Sequence, residues 1–324
     1  MRTIVPGVRT LVLIILFTST TFYSKAQSIT TGNGSIEIGI GLGPLFFLGD
    51  IGGTQGEGKT FVKDVNFPLT KLAKGIYVNL YPTEFLGFRF AANHGILEGD
   101  DSQIDPKSGA EIYRYNRNLK FKSSLLEAYA AIEVYPTIFM EQYDGLQGKL
   151  RPYGVIGVGM FKFNPKGEYI APNGSKQWVE LKPLKLEGQG MPEYSERKEY
   201  KLMQMHIPMG FGAKYYIKEN FYVGLEVLHR KTFTDYIDDV STNYIDPNLF
   251  DVHLTPEQAQ MAHQLHYRGN YINPTTRPAI DEQRGDPKEN DAFFSTIIRC
   301  GFRLNDNNSP AGRAAKQMRC PAFY

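Results

Sequence analysis

The most regular pattern in the chain is a strict alternation of apolar residues with polar residues or glycine. It is clearest from Leu202 to Ile217, where methionine, isoleucine and phenylalanine alternate with glutamine, histidine, glycine and lysine. A period of two predicts β-strands whose two faces meet different environments. Such segments occur at 35–43, 74–82, 84–94, 119–135, 151–163, 202–217, 221–231 and 294–304.

The connections between these segments alternate between short and long. Short turns at 81–84 and 218–220 and a moderate one at 137–149 are separated by long polar loops at 50–71, 95–118, 164–201 and 234–291. An even number of strands with short turns on one side is typical of outer-membrane barrels. A soluble sandwich or lipocalin-like barrel also alternates, but it would turn its apolar face inward. We therefore predict an all-β fold, an eight-stranded antiparallel transmembrane β-barrel with four long extracellular loops and short periplasmic turns.

The amino terminus has the order of a secretory signal peptide. Basic residues precede the apolar stretch 11–17, and the small residues Ser24 and Ala26 precede Gln27. This apolar stretch is too short for a membrane anchor. We therefore expect a cleaved signal peptide at 1–26, an outer-membrane barrel at 27–304 and a periplasmic carboxyl-terminal tail at 305–324.

Composition narrows the function classes. The chain has 36 Lys+Arg and 34 Asp+Glu residues and a net charge of +2. Three positive charges lie in the predicted signal peptide, so the mature chain carries −1. This near-neutral balance is not typical of a nucleic-acid-binding protein. Export permits a disulfide between Cys300 and Cys320, and two free thiols are the alternative.

The faces opposite the apolar ones carry charged residues of both signs. If the apolar faces contact lipid, these charges lie in a narrow interior and pair with one another, because an unpaired charge away from water is costly. Eight strands leave room for side chains but not for an aqueous channel, so a porin is disfavoured. Arg230 faces inward in the same pattern. The predicted interior network comprises Glu37, Arg89, Glu127, Glu133, His206, Lys214, Glu226, Arg299 and Arg303.

No motif in the chain predicts catalysis or nucleotide binding. The string Gly53–Thr60 matches the phosphate-loop pattern G-x-x-x-x-G-K-T, but no helical pattern follows it to receive phosphate at its amino terminus. We interpret it as a surface loop. No Ser/His/Asp or Cys/His set has identifiable partners. We therefore predict a non-enzyme with no catalytic residue and no cofactor.

Two groups of potential metal ligands are weak candidates. Asp235, Asp238 and Asp239 lack the spacing of a calcium loop. His263 and His266 are three residues apart and share a face of a short helix predicted over 255–265, a spacing compatible with weak metal binding. We predict no metal site.

Several strings are similar to those of one protein family. They are Phe47–Asp50, Asn118–Lys122, Phe163–Lys166, Glu187–Gly190 and the longest, Arg230–Ser241. Together they resemble the PorG-type outer-membrane barrels of Bacteroidetes, which are associated with type IX secretion and gliding. The resemblance extends from about Ile36 to Leu304.

The resemblance implies a non-enzymatic barrel that anchors or organises periplasmic components of the secretion machinery. Its expected partners are outer-membrane lipid and periplasmic ring or lipoprotein components, with no nucleic acid and no nucleotide. The candidate interaction motif lies at the long-loop rim, and a purely architectural role for it is the alternative. Its residues are Gly49, Asp50, Arg230, Thr232, Thr234, Asp235, Tyr236, Asp238 and Asp239.

Two other functions stay open at this point. The chain could be an independent surface protein that binds a ligand or substratum through its long loops. A membrane-embedded hydrolase or acyltransferase is the third alternative, although no sequence motif indicates a nucleophile.

Overall fold

The computed structural model describes six ranges of the chain, residues 35–51, 69–83, 85–104, 111–136, 150–218 and 220–304. The predicted signal peptide, the phosphate-loop-like string and the tail that contains Cys320 lie outside these residues. The predictions made for them stay predictions.

The fold is a closed antiparallel β-barrel, as predicted. The strands are β1 (Ser35–Leu48), β2 (Lys71–Tyr81), β3 (Leu86–Asp100), β4 (Lys120–Val134), β5 (Leu150–Lys162), β6 (Pro165–Ile170), β7 (Lys176–Glu180), β8 (Met203–Lys218), β9 (Phe221–Thr232) and β10 (Ala292–Arg303). Eight of them pair in the order β1-β2-β3-β4-β5-β8-β9-β10, and β10 pairs with β1 to close the ring. The remaining two strands, β6 and β7, form a hairpin that extends from β4.

The barrel wall has an apolar outer face and a polar inner face. On the outer face Ile40, Ile76 and Phe211 are 63%, 65% and 67% exposed. On the inner face Arg89 and Lys214 are completely buried. This arrangement is the inverse of a soluble barrel and is the architecture of an outer-membrane barrel.

Two strands run further than the alternation predicted. β1 continues through Pro44 to Leu48, and β3 continues to Asp100, where it still pairs with Lys120. Pro44 interrupts the apolar alternation, but it stays opposite Leu72 of β2 without a shift of register. The longer strands carry the barrel wall beyond the apolar belt toward the long loops.

The prediction that residues 164–201 form only a polar loop is wrong. This segment contains the β6–β7 hairpin. Strand β6 pairs with the amino-terminal end of β4, where Phe121 lies opposite Gly167. Three short helices lie in the other long loops, α1 (Glu111–Arg117), α2 (Asn248–His253) and α3 (Pro256–His266). The last is the helix predicted over 255–265. Among the described residues, no helix has both the length and the apolar character needed to cross a bilayer.

The long loops fold together into a cap over one end of the barrel. We use "cap" for the described parts of the four long loops with the β6–β7 hairpin. Its apolar core joins side chains from all four loops and from the upper ends of the strands. Completely buried members include Phe121, Phe163, Leu186, Ile237 and Phe250. A shared core of this kind holds the loops in one arrangement, since burial of apolar area stabilises contact.

Candidate functional site: the barrel interior and the cap cluster

The centre of the barrel contains a connected network of ion pairs. Glu133 on β4 accepts a hydrogen bond from Arg89 Nε at 2.6 Å and lies 3.3 Å from Lys214 Nζ. Tyr81 donates to the same carboxylate at 2.7 Å. The carboxylate also lies 3.5 Å from Arg299 Nη1, so that one acid is shared by three cations and a phenol, and all of these side chains are buried. Charged groups in such a site depend on each other, because none of them has water as an alternative partner.

A second acid links the network to the opposite wall. Glu226 on β9 accepts from Arg89 Nη1 at 2.9 Å and from Arg299 Nη1 at 2.9 Å. Tyr153 donates at 2.7 Å to the same carboxylate oxygen, Oε2, that accepts from Arg299. The Arg299 guanidinium also lies 3.6 Å from the centre of the Tyr77 ring. Strands that are far apart in sequence are thereby joined through the lumen.

Near the short-turn rim, Glu37 is the acid that several donors share. Its carboxylate accepts from Lys214 Nζ at 2.9 Å, from Tyr216 at 2.5 Å and from Arg303 Nη2 at 3.1 Å. Arg303 retains 22% side-chain exposure and so marks the edge of the network. The network ends there, at the carboxyl-terminal residue of strand β10.

Toward the cap, Glu127 pairs with Arg230. The Arg230 Nη2 atom donates to Glu127 at 2.6 Å, and Arg230 also donates to Ser295. His206 Nε2 lies 3.7 Å from Glu127, too far for a hydrogen bond, and its ring packs edge-on against Phe161. The structure thus brings His206 to the top of the network without giving it a hydrogen-bond partner among the described residues.

Above the barrel, the candidate motif lies inside the cap and ties loops together. Asp238 accepts a hydrogen bond from the Ile51 backbone N–H at 2.8 Å, 187 residues away in sequence, and from Val240 N–H at 3.0 Å. Asp239 accepts from the Tyr200 hydroxyl at 2.6 Å. Asp239 also has a φ of 67°, a left-handed conformation that Asp tolerates better than most residues. One tight turn therefore contacts the first and the third long loop.

Two buried arginines complete these ties. Arg117, from the second long loop, donates to the Asp101 carboxylate at 2.8 Å and to the carbonyl oxygens of Asp50 and Arg284 at 2.6 and 2.5 Å. Arg284, from the fourth long loop, donates to Glu187 at 2.8 Å and to the Asp239 carbonyl at 2.7 Å. Each guanidinium satisfies groups from several loops at once.

Glu187 is the partner of these groups in the third long loop. Its carboxylate accepts from the Ser241 and Thr242 backbone N–H groups, each at 3.0 Å, as well as from Arg284. It is completely buried. We call the set that ties the loops the cap cluster. It comprises Asp50, Asp101, Arg117, Glu187, Asp235, Asp238, Asp239, Arg284 and Asp291.

The cap cluster holds more carboxyl groups than cations, and this shifts their protonation. Burial raises the pKa of Asp50 to about 6, of Asp239 to about 7 and of Asp235 to about 9. Burial also raises the pKa values of Asp238 and Asp291, with the charges of neighbouring carboxyl groups as a further cause. The ionised forms of these five carboxyl groups are disfavoured, because they lack water and sufficient counter-charge.

The other motif positions support the turn. Gly49 packs so closely against Asp291 that a Cβ atom there would lie 2.1 Å from its Oδ1. Thr232 donates to the Thr234 carbonyl at 3.1 Å, and the Tyr236 ring stacks on Tyr200 at 4.9 Å. These contacts give the motif a role in the order of the loops.

The sequence patterns did not single out five members of the cap cluster as site residues, namely Asp101, Arg117, Glu187, Arg284 and Asp291. Glu187 lies in a Gly-rich string, beside Gly188 and Gly190 at positive φ, and this was the one available signal. A single arginine in a polar loop carries no comparable signal. Among the described residues, no three His, Cys, Asp or Glu side chains are arranged to hold a metal ion.

Comparisons with known proteins give one family and several distant structures. A family model described as "Domain of unknown function (DUF6089)" matches residues 9–255. No curated protein matches the chain. The chain is similar to a major outer membrane protein of Thermus thermophilus, with 9% identity and TM-score 0.38 over 84% of this chain and 100% of that one.

Two further solved structures are similar at the same level. OprG of Pseudomonas aeruginosa has 10% identity and a TM-score of 0.35, over 86% of this chain and 99% of that one. Ail, the attachment invasion locus protein of Yersinia pestis, has 8% identity and a TM-score of 0.33, over 84% and 97%. The fold assignment rests on the strand pairings and on the polarity of the two barrel faces.

Proposed function

The chain belongs to the family described as a domain of unknown function, DUF6089, and we propose that it is a structural protein of the outer membrane. In this proposal the barrel spans the bilayer with outer-membrane lipid around it. It carries no catalytic residue and serves as an anchoring component of the type IX secretion machinery.

The observation that carries a structural role is the filled interior. Arg89, Glu133, Lys214 and Glu226 occupy the lumen with at most 2% exposure and satisfy each other across it. The cap core lies above them. In such a barrel the side chains that fill the lumen hold the walls together. A transport pathway would instead need a hydrated lumen.

The type IX assignment is supported by the resemblance of the motif strings to PorG-type barrels. The longest of them, Arg230–Ser241, begins inside the barrel at the Arg230–Glu127 pair and ends in the cap cluster. A motif that connects the interior network to the loops suits a component whose rigidity matters to an assembly.

The proposed orientation places the short-turn rim in the periplasm. The first strand, β1, begins and the last strand, β10, ends at that rim. Periplasmic ring or lipoprotein components of the machinery are the proposed partners at this rim. The cap then faces the cell exterior.

Deletion of the gene and complementation test this function. Loss of type IX cargo from the medium on deletion, with recovery by the wild-type chain, is the expected result. Recovery should fail with a chain whose cap cluster is broken at Arg284 if the rigid cap is required. Normal secretion by the deletion strain would contradict the proposal.

A second candidate function is ligand or substratum binding by the cap. It is favoured by apolar and aromatic side chains that the cap exposes, among them Tyr113 at 70%, Tyr271 at 49% and Ile272 at 41%. Substitution of Tyr113 and Tyr271 by serine would abolish attachment while secretion continues, if this candidate is right. If this variant instead loses secretion while attachment is unchanged, the result supports the secretion role.

A further inference from the structure

One sector of the wall carries lysines directly above the apolar belt. Lys162, the last residue of β5, lies between Leu126 of β4 and Met203 of β8 in the strand register. Both neighbours are outward-facing and more than half exposed. Lys162 therefore lies at the edge of the apolar outer wall that is nearer the cap, where charged residues begin.

Further lysines continue this sector upward. Lys201 lies two residues before Met203 and is exposed, and Lys122 lies opposite Lys166 where β4 pairs with β6. Among the described residues, Lys122, Lys162 and Lys201 form no ion pair. Acids near this sector pair with other lysines, Glu98 with Lys71 at 2.8 Å and Asp100 with Lys120 at 3.2 Å, while Glu180 lies 4.0 Å from Lys166.

The single tryptophan of the chain lies in the same sector. Trp178, on the β6–β7 hairpin, is 37% exposed, and its ring lies 5.8 Å from Lys122 Nζ and 6.0 Å from Lys120 Nζ. Tryptophan is enriched at the level of lipid headgroups, where one end of the indole is apolar and the other is hydrated. We call Lys122, Lys162, Lys201 and Trp178 the basic sector.

We propose that the basic sector binds the phosphate groups of a glycolipid in the outer leaflet, whose acyl chains lie on the adjoining apolar wall. This inference rests on the proposed membrane location. Three features support this assignment: ammonium groups without an acidic partner among the described residues, an indole beside Lys122, and an apolar outer wall below them for the acyl chains. Lysine stems reach from the apolar wall toward the headgroups in the manner expected of such residues.

The test uses native mass spectrometry of the purified full chain in a non-ionic detergent. The probe is bis-phosphorylated lipid A, and the comparison lipid is the same molecule after removal of both phosphates. The variant K122Q/K162Q/K201Q removes the free charges. The control variant K198Q/K218Q/K288Q removes the same number of exposed lysines outside the sector.

The expected result is preferential binding of the phosphorylated lipid and a loss of at least about tenfold in its affinity in the sector variant. The control variant should stay within about twofold of the wild type, since isolated exposed charges contribute little. Substitution of the same three lysines by arginine should preserve binding, because the charge remains.

Equal binding of the two lipids, or an unaffected sector variant, would overturn the inference. Insertion into phospholipid vesicles is measured in parallel. A chain that inserts but does not discriminate the lipids refutes the basic sector alone, whereas a chain that does not insert refutes the proposed membrane function itself.

Discussion

Removal of one carboxylate from the barrel interior tests the structural account at its most connected point. Glu133→Gln preserves the shape of the side chain but removes its charge. In the wild type this carboxylate faces Arg89 Nε at 2.6 Å, Lys214 Nζ at 3.3 Å and Arg299 Nη1 at 3.5 Å. The variant leaves three cations in the lumen with one acid fewer.

The expected loss in the free energy of unfolding is about 3 kcal/mol. Removal of one partner from a buried ion pair typically costs about 3–5 kcal/mol, since the remaining charge stays buried without compensation. We expect the lower end for Glu133→Gln, because Glu226 still pairs with Arg89 at 2.9 Å and the glutamine oxygen still accepts hydrogen bonds.

The matched control is Glu180→Gln on the β6–β7 hairpin. Glu180 is 53% exposed on its side chain and lies 4.0 Å from Lys166. Its substitution should change stability by at most about 0.5 kcal/mol. Urea unfolding in detergent, followed by the difference in gel mobility between folded and unfolded barrel, measures both variants.

Equal stability of the two variants within about 0.5 kcal/mol would refute the reasoning, because it would mean that the interior charges are solvated. A second substitution sharpens the test. Arg89→Met in the Glu133→Gln background should recover part of the loss, because it reduces the excess of cations over acids in the lumen and leaves Glu226 paired with Arg299.

Three further predictions concern the cap. Burial raises the pKa of Asp235 to about 9. The stabilisation due to its neutral form is therefore complete below about pH 4 and is lost as the pH rises toward about 9. Thermal unfolding of the purified barrel at a series of pH values should show this decline in stability, and Asp235→Asn should flatten it. Arg284→Met leaves Glu187 buried without its cation. We therefore expect proteases to cut the cap at least about tenfold faster while the barrel stays folded. An unchanged rate of digestion would contradict the role of the cap cluster. Gly49→Ala places a methyl group against Asp291 and should lower the free energy of unfolding by about 1–3 kcal/mol, whereas an unchanged urea midpoint would show that the loop moves aside freely.

The strands were predictable from sequence because their environment imposes a local rule. Lipid on one side and a charged lumen on the other force a period of two, so the faces of the segment from Met203 to Lys214 could be assigned residue by residue. The predicted interior residues Glu37, Glu133 and Glu226 lie in the lumen for the same reason.

The cap was not predictable by such a rule. Its ties join residues that are far apart in sequence, as Ile51 and Asp238 are, and no periodicity connects them. The β6–β7 hairpin has lysine and glutamate at many positions and reads as a polar loop. Its buried face consists of Pro165, Gly167 and Tyr169, of which only Tyr169 is a residue type that favours strands.

The most direct test of the account is affinity purification of the tagged, functional chain from detergent-solubilised membranes, followed by identification of what remains bound. The account predicts that periplasmic ring or lipoprotein components of the type IX machinery co-purify in near-constant proportion to the barrel. A tagged chain that is folded and membrane-inserted but recovered without any such component would contradict the proposed function.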